Sequence, residues 1–370
     1  MIKICVVTAA RSDYSPLKWI MKELVNSKKI QMQLIVTGAH LMEEQGYTAD
    51  EIVNDGFVID KEVPYEIDSD DKTKMAKSLG DMAGKLAEAY RELSPQYILV
   101  LGDRYELLPI CSTAFIMGIP IIHVSGGDVT EGANDNEIRN AVTMLSSIHF
   151  PGTVASYRNI VRMTGRADNV YTVGEPGLDC YNMEALIDRK SLSEMLTIDI
   201  DKKWVLMTYH AETKETTEYN LNCLSNIIEG VLSQSEYRLI ITYGNTDFGG
   251  GMLNKKVEEY GEQYKDRIRV VKSLGSKNYL SLMKEVCFII GNSSSGIIEA
   301  PFLNKPVINV GQRQKGRHLC SNVIQCEGSR EEIINAIEKS KQLTPGNDLY
   351  YYGDGHTAER ILKVLETEIV

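Results

Sequence analysis

Residues 286–299 read VCFIIGNSSSGIIE, which predicts a strand, a loop and a helix in close succession. The apolar run Val286–Ile290 is typical of a buried strand, and a helix is expected to begin at the second glycine, Gly296. The loop Gly291–Gly296 brings backbone N–H groups and hydroxyls to the positive end of that helix. The stretch therefore predicts an anion site suited to a diphosphate.

Four side chains of this stretch are candidates for binding a nucleotide. Asn292, Ser293 and Ser294 offer hydrogen bonds at the start of the helix. Glu299 lies one turn into the helix, where a carboxylate suits a ribose diol better than a phosphate. Considered alone, the loop is explained equally well as a serine-rich turn without a ligand, and the rest of the chain favours the nucleotide.

Short apolar strands alternate with longer amphipathic stretches along the chain, which predicts parallel sheets with helices on both faces. Two such blocks of similar size indicate an α/β protein with two Rossmann-like, doubly wound domains facing a central cleft. A turn cluster at 174–177 places the domain boundary between 1–174 and 175–356. The predicted strands are Ile2–Val7, Gln33–Val36, Tyr97–Leu101, Pro120–Val124, Val170–Val173, Trp204–Thr208, Leu239–Thr242, Ile268–Val271, Val286–Ile290 and Val307–Val310.

Composition excludes several classes of function. The net charge of −11 argues against nucleic acid as a partner, because a phosphate backbone requires a basic protein face. No apolar run approaches the roughly 18 residues of a membrane span, and the first ten residues lack a signal-peptide pattern, so no membrane partner is expected. The seven cysteines form no CxxC pair, which favours a reducing cytoplasm as the location.

Arginines follow the predicted strands at three places, Arg11, Arg104 and Arg313. Ligands of open α/β sheets bind beyond the carboxyl ends of the strands. Three guanidinium groups there could clamp a diphosphate through bidentate hydrogen bonds. Each arginine could instead pair with a neighbouring acid, as Arg104 could with Glu106. Asn245, which also follows a strand, is a further binding candidate.

Three aspartates near strand ends, Asp103, Asp128 and Asp135, suggest proton transfer. Carboxylates that lie close together can remove a proton from carbon and return one. Asp128 and Asp135 could instead be turn and capping residues ahead of the next helix. His123 and His210 each end a strand, where a histidine can shuttle a proton or hold a phosphate, although His123 could equally be a core residue.

Motifs for other chemistries are absent from the sequence. HExxH, HxxEH and clustered cysteines, which indicate metal sites, do not occur. The loop after the first strand reads TAAR at residues 8–11 rather than GxGxxG, and no GxxxxGK[ST] occurs. We therefore expect an enzyme that uses neither a metal nor a nicotinamide cofactor.

Taken together, these residues resemble the hydrolysing UDP-N-acetylglucosamine 2-epimerases of sialic-acid-type sugar pathways. The resemblance runs from Met1 to about Val364, and the order and spacing of the motifs hold along the chain. The motifs are TAARSDYS (8–15), GDR (102–104), HVSGGD (123–128), DNEIR (135–139), HAET (210–213), GNSSSG (291–296) with Glu299, and GQRQKGR (311–317).

The resemblance implies a GT-B architecture in which the last helix, within 357–370, packs back onto the first domain. It also implies a reaction in two stages. A base removes the C2 proton and UDP is eliminated, which leaves a 2-acetamidoglycal; water then adds at C1 as C2 is protonated on the other face. The products would be UDP and N-acetylmannosamine, formed from a UDP-sugar without a cofactor, and the enzyme would be a homo-oligomer, either a dimer or a tetramer.

The family pattern also implies roles for individual residues. Acids and a histidine would handle protons at C2 and O1, while arginines and the donors of the loop would stabilise the departing diphosphate. The backbone near Leu274 would face the base. The expected catalytic residues are Asp103, Asp128, Asp135, His123, Arg139 and His210, and the expected substrate-binding residues are Arg11, Ser15, Arg104, Asn245, Leu274, Asn292, Ser293, Ser294, Glu299 and Arg313.

Three positions depart from the family pattern. Ser125 stands where many relatives carry a glutamate, Asn140 replaces a frequent histidine, and Met144 replaces a frequent lysine. Either Asp128 takes over the role of the missing acid, or the sugar differs. Relatives in legionaminic and bacillosamine-type pathways use 2,4-diacetamido-6-deoxy sugars on UDP or GDP, which makes these sugars the alternative substrates. Outside the epimerases, the alternatives are a GT-B glycosyltransferase and a non-catalytic sensor of sugar nucleotides.

Overall fold

The computed structural model describes residues 1–43, 46–66, 71–131, 134–183, 185–244 and 250–369. The chain forms two compact units. The first comprises Met1–Val129, Asp135–Asn182 and Tyr352–Val370, and the second comprises Thr130–Asn134 and Met183–Tyr351. The chain passes to the second unit after Asn182, shortly beyond the turn in which the boundary was predicted.

The strands of the first unit are β1 (Ile2–Thr8), β2 (Ile30–Thr37), β3 (Lys61–Val63), β4 (Tyr97–Leu101), β5 (Ile121–Val124) and β6 (Ile148–Phe150). All neighbours pair in parallel, in the order β3-β2-β1-β4-β5-β6. The chain direction across the sheet reverses between β1 and β4. In doubly wound sheets, that switch point opens the crevice in which ligands bind.

The strands of the second unit are β7 (Lys203–Thr208), β8 (Tyr237–Thr242), β9 (Ile268–Val271), β10 (Phe288–Gly291), β11 (Val307–Val310) and β12 (Val323–Cys326). Their order, β12-β11-β10-β7-β8-β9, repeats the topology of the first sheet, again with parallel neighbours. Its switch point lies between β7 and β10. The predicted fold class, two doubly wound parallel sheets of the GT-B type, is confirmed.

Crossover connections join successive parallel strands, and they contain helices except between β11 and β12, where residues 311–322 form turns. Short 3₁₀ turns occur at Gly38–Leu41 and Pro176–Asp179. None of the helices in the described ranges has the length and the apolar run that a membrane span needs. The helices are α1 (Arg11–Asn26), α2 (Ala49–Asn54), α3 (Lys72–Leu93), α4 (Leu107–Ile116), α5 (Asp135–Leu145), α6 (Val154–Thr164), α7 (Cys180–Met183), α8 (Arg189–Leu196), α9 (Thr217–Leu232), α10 (Gly250–Gln263), α11 (Gly275–Glu285), α12 (Ser294–Phe302), α13 (Arg330–Ser340) and α14 (Thr357–Val364).

Both faces of the second sheet are buried, which explains why its strands have continuous apolar runs rather than alternating ones. Along β7, Val205 and Met207 pack into the core on one face, and Trp204 and Leu206 pack into the core on the other. A strand covered in this way is held in register over its whole length. Its carboxyl end is therefore a fixed point from which functional loops extend.

Two sequence predictions about the elements are wrong. Val170–Val173 is not a strand: beside β6 it forms an isolated bridge, Val170 with His149. The N–H of Val173 donates to the carbonyl of Pro151 (3.1 Å), but Pro151 has no N–H with which to continue the ladder. Helix α12 begins at Ser294 rather than Gly296, because Ser293 caps it. The sequence prediction also missed β3, β6 and β12, which are only three or four residues long.

Candidate functional site

Strand β10 ends in a loop that lies at the switch point of the second sheet, beside β7. Gly291 has a φ of 135°, and a side chain there would overlap the carbonyl oxygen of Thr208, so only glycine allows this close approach. Ser293 then caps α12, its Oγ accepting the N–H of Ser295 at 3.4 Å. The N–H groups of the first turn, beginning at Ser294, place the positive end of α12 at the ligand edge of the sheet.

The amide side chain of Asn292 binds a neighbouring loop rather than pointing to solvent. The N–H of His210 donates to Oδ1 of Asn292 (2.7 Å), and Nδ2 of Asn292 donates to the carbonyl of His210 (2.9 Å). The carbonyl of Asn292 accepts hydrogen bonds from Nε2 of Gln314 (2.8 Å) and Nη1 of Arg313 (3.3 Å). Asn292 thus joins the loops that follow β7, β10 and β11.

Glu212 closes this set of contacts into a ring. Its carboxylate accepts the N–H of Gln312 through both oxygens, at 3.2 and 3.1 Å. Its own backbone is fixed by Asn220, whose Oδ1 accepts the N–H of Glu212 (2.8 Å) and whose Nδ2 donates to its carbonyl (3.2 Å). Burial raises the pKa of Glu212 to about 7, partly offset by the hydrogen bond from Gln312. We call His210, Glu212, Asn292 and residues 312–314 the strand-end ring.

The strand-end ring holds the guanidinium group of Arg313 next to the start of α12. Arg313 is 8% exposed, and its guanidinium group is bonded to the carbonyl that immediately precedes the capping residue Ser293. A fixed guanidinium and a helix N-terminus side by side both favour a negative charge. In the second unit, the structure thus brings together the predicted residues His210, Asn292, Ser293 and Arg313.

Glu299 lies one turn after Ser295 on α12. Burial raises the pKa of its carboxyl to about 7, and the charge of Arg317 partly offsets the shift. Among the described residues, its buried Oε2 accepts no hydrogen bond. A buried acceptor without a donor is costly. The carboxylate is therefore suited to a ligand that brings hydroxyl donors.

Replacing Glu299 by glutamine should raise stability at alkaline pH and leave it nearly unchanged in acid. The folded-state pKa of about 7 lies above the ordinary 4.5, so the folded protein binds more protons than the unfolded chain between these values. Stability therefore falls as pH rises through that window. The variant has no such ionisation. Its free energy of unfolding, measured with urea, should therefore exceed that of the wild type at pH 8 by on the order of 1–3 kcal/mol. Glu259→Gln, at an exposed position of α10, is the control. Identical pH profiles of the Glu299→Gln variant and the wild type would contradict the assignment.

In the first unit, the loop after β1 is organised by a buried acid. Asp13 accepts the N–H groups of Ala9 (2.8 Å) and Ala10 (2.7 Å). Burial raises its pKa to about 6, although Arg104 and these bonds lower it. The predicted binding residues Arg11 and Ser15 lie in the first turns of α1, four residues apart and so on one face. Burial lowers the pKa of Arg11.

Two of the predicted acids share a buried arginine. Arg139 on α5 is 1% exposed, forms an ion pair with Asp103 after β4, and donates from Nη1 to the carbonyl of Asp128 (2.9 Å). The carboxylate of Asp128 accepts from Ser156 Oγ at 2.5 Å. Asp135 opens α5, one turn before Arg139. Asp103, Asp128 and Arg139 thus form an acid cluster at the ligand edge of the first sheet.

His123 supports the acid cluster through the backbone next to Asp103. It is fully buried, its Nε2 donates to the carbonyl of Gly102 (2.8 Å), and its Nδ1 accepts from Thr143 (3.2 Å). Burial lowers its pKa to about 4, so the ring is neutral at pH 7 with its tautomer fixed. Through Gly102 it orients the neighbouring Asp103.

Arg104 is engaged by an acid, as its alternative interpretation anticipated. It forms a buried ion pair with Glu106 at 2.8 Å, and Glu106 also accepts from Tyr65 (3.0 Å). Leu274 is a buried residue at the N-terminus of α11. Asn245 lies outside the described residues. The catalytic and binding roles assigned from the sequence remain predictions.

Several polar residues at these sheet edges were not among the predicted site residues. Asp13 and Glu212 stand two residues after named candidates, and the spacing alone gave no signal of their buried contacts. His40 lies in the 3₁₀ turn after β2, bonded to Thr8 (3.0 Å) and Thr48 (2.7 Å). The rule that polar residues follow strands would have found it, had the predicted strand extended to Thr37.

One cluster within the described residues has the composition of a metal site: His318, Cys320 and Asp348. His318 and Cys320 come before β12, at the amino end of that strand, and Asp348, which follows α13, contacts them there. Cys320 donates to the carbonyl of Asp348 (3.3 Å), and burial raises the pKa of the thiol to about 12. Internal hydrogen bonds with a protonated thiol account for this arrangement.

Comparison with known proteins identifies the family. The chain matches the model of the UDP-N-acetylglucosamine 2-epimerase family over residues 22–366. It is 34% identical over 339 residues to the GDP/UDP-N,N'-diacetylbacillosamine 2-epimerase (hydrolyzing) of Campylobacter jejuni, with coverage of 91% of this chain and 87% of the relative. It is 31% identical over 365 residues to the UDP-N,N'-diacetylbacillosamine 2-epimerase (hydrolyzing) of Legionella pneumophila, with coverage of 99% and 96%.

Solved structures agree on the fold. The UDP-GlcNAc 2-epimerase from Neisseria meningitidis, bound to UDP-GlcNAc, aligns with a TM-score of 0.83 at 17% identity, over 99% of this chain and 100% of that one. The resemblance that the motifs indicated is thereby confirmed from two directions, by sequence over nearly the whole chain and by fold. The chain belongs to the UDP-N-acetylglucosamine 2-epimerase family.

Proposed function

We propose that this protein is a hydrolysing 2-epimerase that acts on a 2,4-diacetamido-2,4,6-trideoxy sugar carried on UDP or GDP. The observation that carries the proposal is that one chain presents two chemically different sheet edges. The first has the carboxylate of Asp103 ion-paired with buried Arg139, which also donates to the backbone carbonyl of Asp128, and this arrangement suits proton transfer at carbon. The second has a capped helix start beside nearly buried Arg313, which suits a departing diphosphate.

The choice of sugar is supported by the relatives. Two proteins that share 34% and 31% of their aligned residues with this chain are named as diacetylbacillosamine 2-epimerases. Ser125, where the family pattern has an acid, is a second reason to expect a sugar other than N-acetylglucosamine. The nucleotide is proposed as UDP or GDP because the Campylobacter relative is named for both.

The proposed reaction has two balanced stages. A carboxylate removes the C2 proton, the C1–O bond breaks, and the nucleoside diphosphate leaves with the bonding electrons, which gives a C1–C2 double bond. Water then adds its oxygen to C1 and loses a proton to a carboxylate, while C2 takes a proton from a carboxylic acid on the opposite face. Asp103 and Asp135 share these transfers, Asp128 supports them, and His210 and Arg313 lie at the phosphates.

A second candidate is the conversion of UDP-N-acetylglucosamine to UDP and N-acetylmannosamine. The description of the matched family favours it. Both candidates use the same bond changes, so substrate preference separates them rather than mechanism.

The test is to incubate the protein with each nucleotide sugar alone in deuterium oxide and to follow the mixture by NMR. We expect free nucleoside diphosphate and the 2-epimeric free sugar, carrying deuterium at C2, with faster turnover of the diacetamido sugar. Faster turnover of UDP-N-acetylglucosamine would favour the second candidate. A free sugar without deuterium at C2 would overturn the elimination scheme in favour of a hydrolase, and an intact nucleotide sugar would indicate a transferase or a sensor.

Arg313→Ala should weaken UDP binding by roughly 1.5–3 kcal/mol, the range for a hydrogen bond to a charged group. The reason is that Arg313 is held next to the start of α12, where the diphosphate is proposed to bind. Calorimetric titration with UDP measures the effect, and Arg330→Ala, which removes an exposed arginine of the same unit, is the matched control. Unchanged UDP affinity in Arg313→Ala would mean that the arginine is structural.

A further inference from the structure

Ser125, which replaces an acid of the family pattern, contacts an acid from a distant part of the chain. Its Oγ donates to Oε2 of Glu175 at 2.6 Å, and Glu175 is 5% exposed. This length is at the short end of the range for a hydroxyl that donates to an oxygen, so the two side chains are in close contact. We propose that Ser125 and Glu175 form a positioning pair for the loop 125–128 and, through it, for Asp128; this inference rests on the proposed function.

The backbone of Ser125 explains why the loop needs such a contact. Its φ of 59° lies in the left-handed region, which a serine adopts only when its neighbours hold it there. Its N–H donates to the carbonyl of Phe150 (2.9 Å), and its hydroxyl is bonded to Glu175. Removing the hydroxyl bond would leave the left-handed turn with much less support.

The other end of the same loop carries the acid. Nδ2 of Asn159 donates to the carbonyl of Gly127 (2.9 Å), Ser156 donates to Oδ1 of Asp128 (2.5 Å), and Arg139 donates to its carbonyl (2.9 Å). The loop is therefore fixed on both sides of Gly126 and Gly127. A shift at Ser125 would be transmitted over three residues to the carboxylate of Asp128.

The surroundings of Glu175 indicate that its carboxylate has a defined place. A side chain at Gly152, just after β6, would overlap Oε1 of Glu175, so the glycine leaves the space that the carboxylate occupies. The N–H of Glu175 donates to the carbonyl of Tyr352 (2.8 Å), which fixes the backbone from which the side chain extends. The acid thus reaches the ends of β5 and β6 from a segment that is itself anchored.

The proposal is tested with Ser125→Ala, Glu175→Ala, Glu175→Gln and the double variant Ser125→Ala/Glu175→Ala. We expect turnover to fall on the order of 10- to 100-fold in each alanine variant, the size of effect that a misplacement of about 1 Å produces. KM and inhibition by the nucleoside diphosphate should stay unchanged, because the nucleotide is proposed to bind to the second unit. The double variant should lose no more than the worse single variant, and Glu175→Gln should restore part of the rate, since its oxygen still accepts the hydroxyl.

Asp179→Asn is the matched control, because Asp179 lies in the same segment and caps α14 without contacting Ser125. Wild-type turnover in Ser125→Ala, or losses that multiply in the double variant, would overturn the pair. Failure of the proposed function is seen separately, as a wild-type protein that converts none of the nucleotide sugars. In that case the pair is tested by amide hydrogen exchange of residues 125–128. Exchange should accelerate in Ser125→Ala and Glu175→Ala but not in Asp179→Asn. Unchanged exchange in the two alanine variants would overturn the pair.

Discussion

Asp103→Asn is expected to lose at least about 100-fold in turnover while the variant still binds UDP, since general acid–base steps typically contribute about 10²–10⁴-fold. The change keeps the size and hydrogen-bonding capacity of the side chain but removes its basicity. Asp103 is ion-paired to the buried Arg139, and His123 holds the preceding carbonyl, so the carboxylate is fixed at the sheet edge. Steady-state rates with the preferred nucleotide sugar measure turnover, and titration with UDP measures the affinity for UDP.

A loss of folding must be separated from a loss of chemistry in this experiment. Asp135→Asn, at the start of α5, should show a drop of at least the same size. Asp168→Asn, which alters an exposed acid of the same unit, should leave turnover unchanged. Near-normal rates in both Asp103→Asn and Asp135→Asn would remove these acids from the mechanism and favour a role for the protein as a sensor.

Asn292→Ala should destabilise the second unit by roughly 2–4 kcal/mol. Its side chain satisfies both the N–H and the carbonyl of His210 in a buried setting, and each orphaned buried group costs about 1–3 kcal/mol. The loss would also release the loops that hold Arg313, so UDP affinity should fall in parallel. Urea unfolding measures the first effect and titration measures the second.

Two comparisons sharpen this result. Asn292→Asp keeps the acceptor for the N–H of His210 but loses the donor to its carbonyl. Its stability should therefore lie between those of the wild type and Asn292→Ala. Asn226→Ala removes a single half-buried bond to the carbonyl of Gly328 and should cost less. Equal stabilities for Asn292→Ala and Asn226→Ala would show that the strand-end ring is not a cooperative support.

The parts of the site that the sequence predicted are those that follow directly from a strand end. The loop at 291–296 and the acids Asp103 and Asp128 could be placed because parallel strands bring their carboxyl ends to one edge. The strand-end ring could not be predicted, since it joins His210 to Asn292 over 82 residues and Glu212 to Gln312 over 100. Such pairs depend on tertiary packing, for which a single sequence has no local signal.

The same limit applies to residues whose chemistry is ambiguous. An arginine after a strand looks alike whether it faces a phosphate or a buried glutamate, and only packing places Arg104 against Glu106. His123 and His210 both end strands. His123 is nevertheless buried and neutral, whereas the backbone of His210 is hydrogen-bonded to Asn292. Short strands such as β3 and β6 were missed because three residues are too few to establish a period.

The cap that Asp179 makes on α14 has a consequence for folding during synthesis on the ribosome. Its carboxylate accepts the N–H groups of Thr357 (2.9 Å) and Ala358 (2.6 Å), and α14 packs against α1 with Ala358, Ile361 and Leu365 buried. The first unit is therefore completed only by residues that are synthesised after the whole of the second unit. Until then we expect α1 to expose the apolar surface that α14 covers, and exposed apolar surface makes an incomplete chain prone to aggregation.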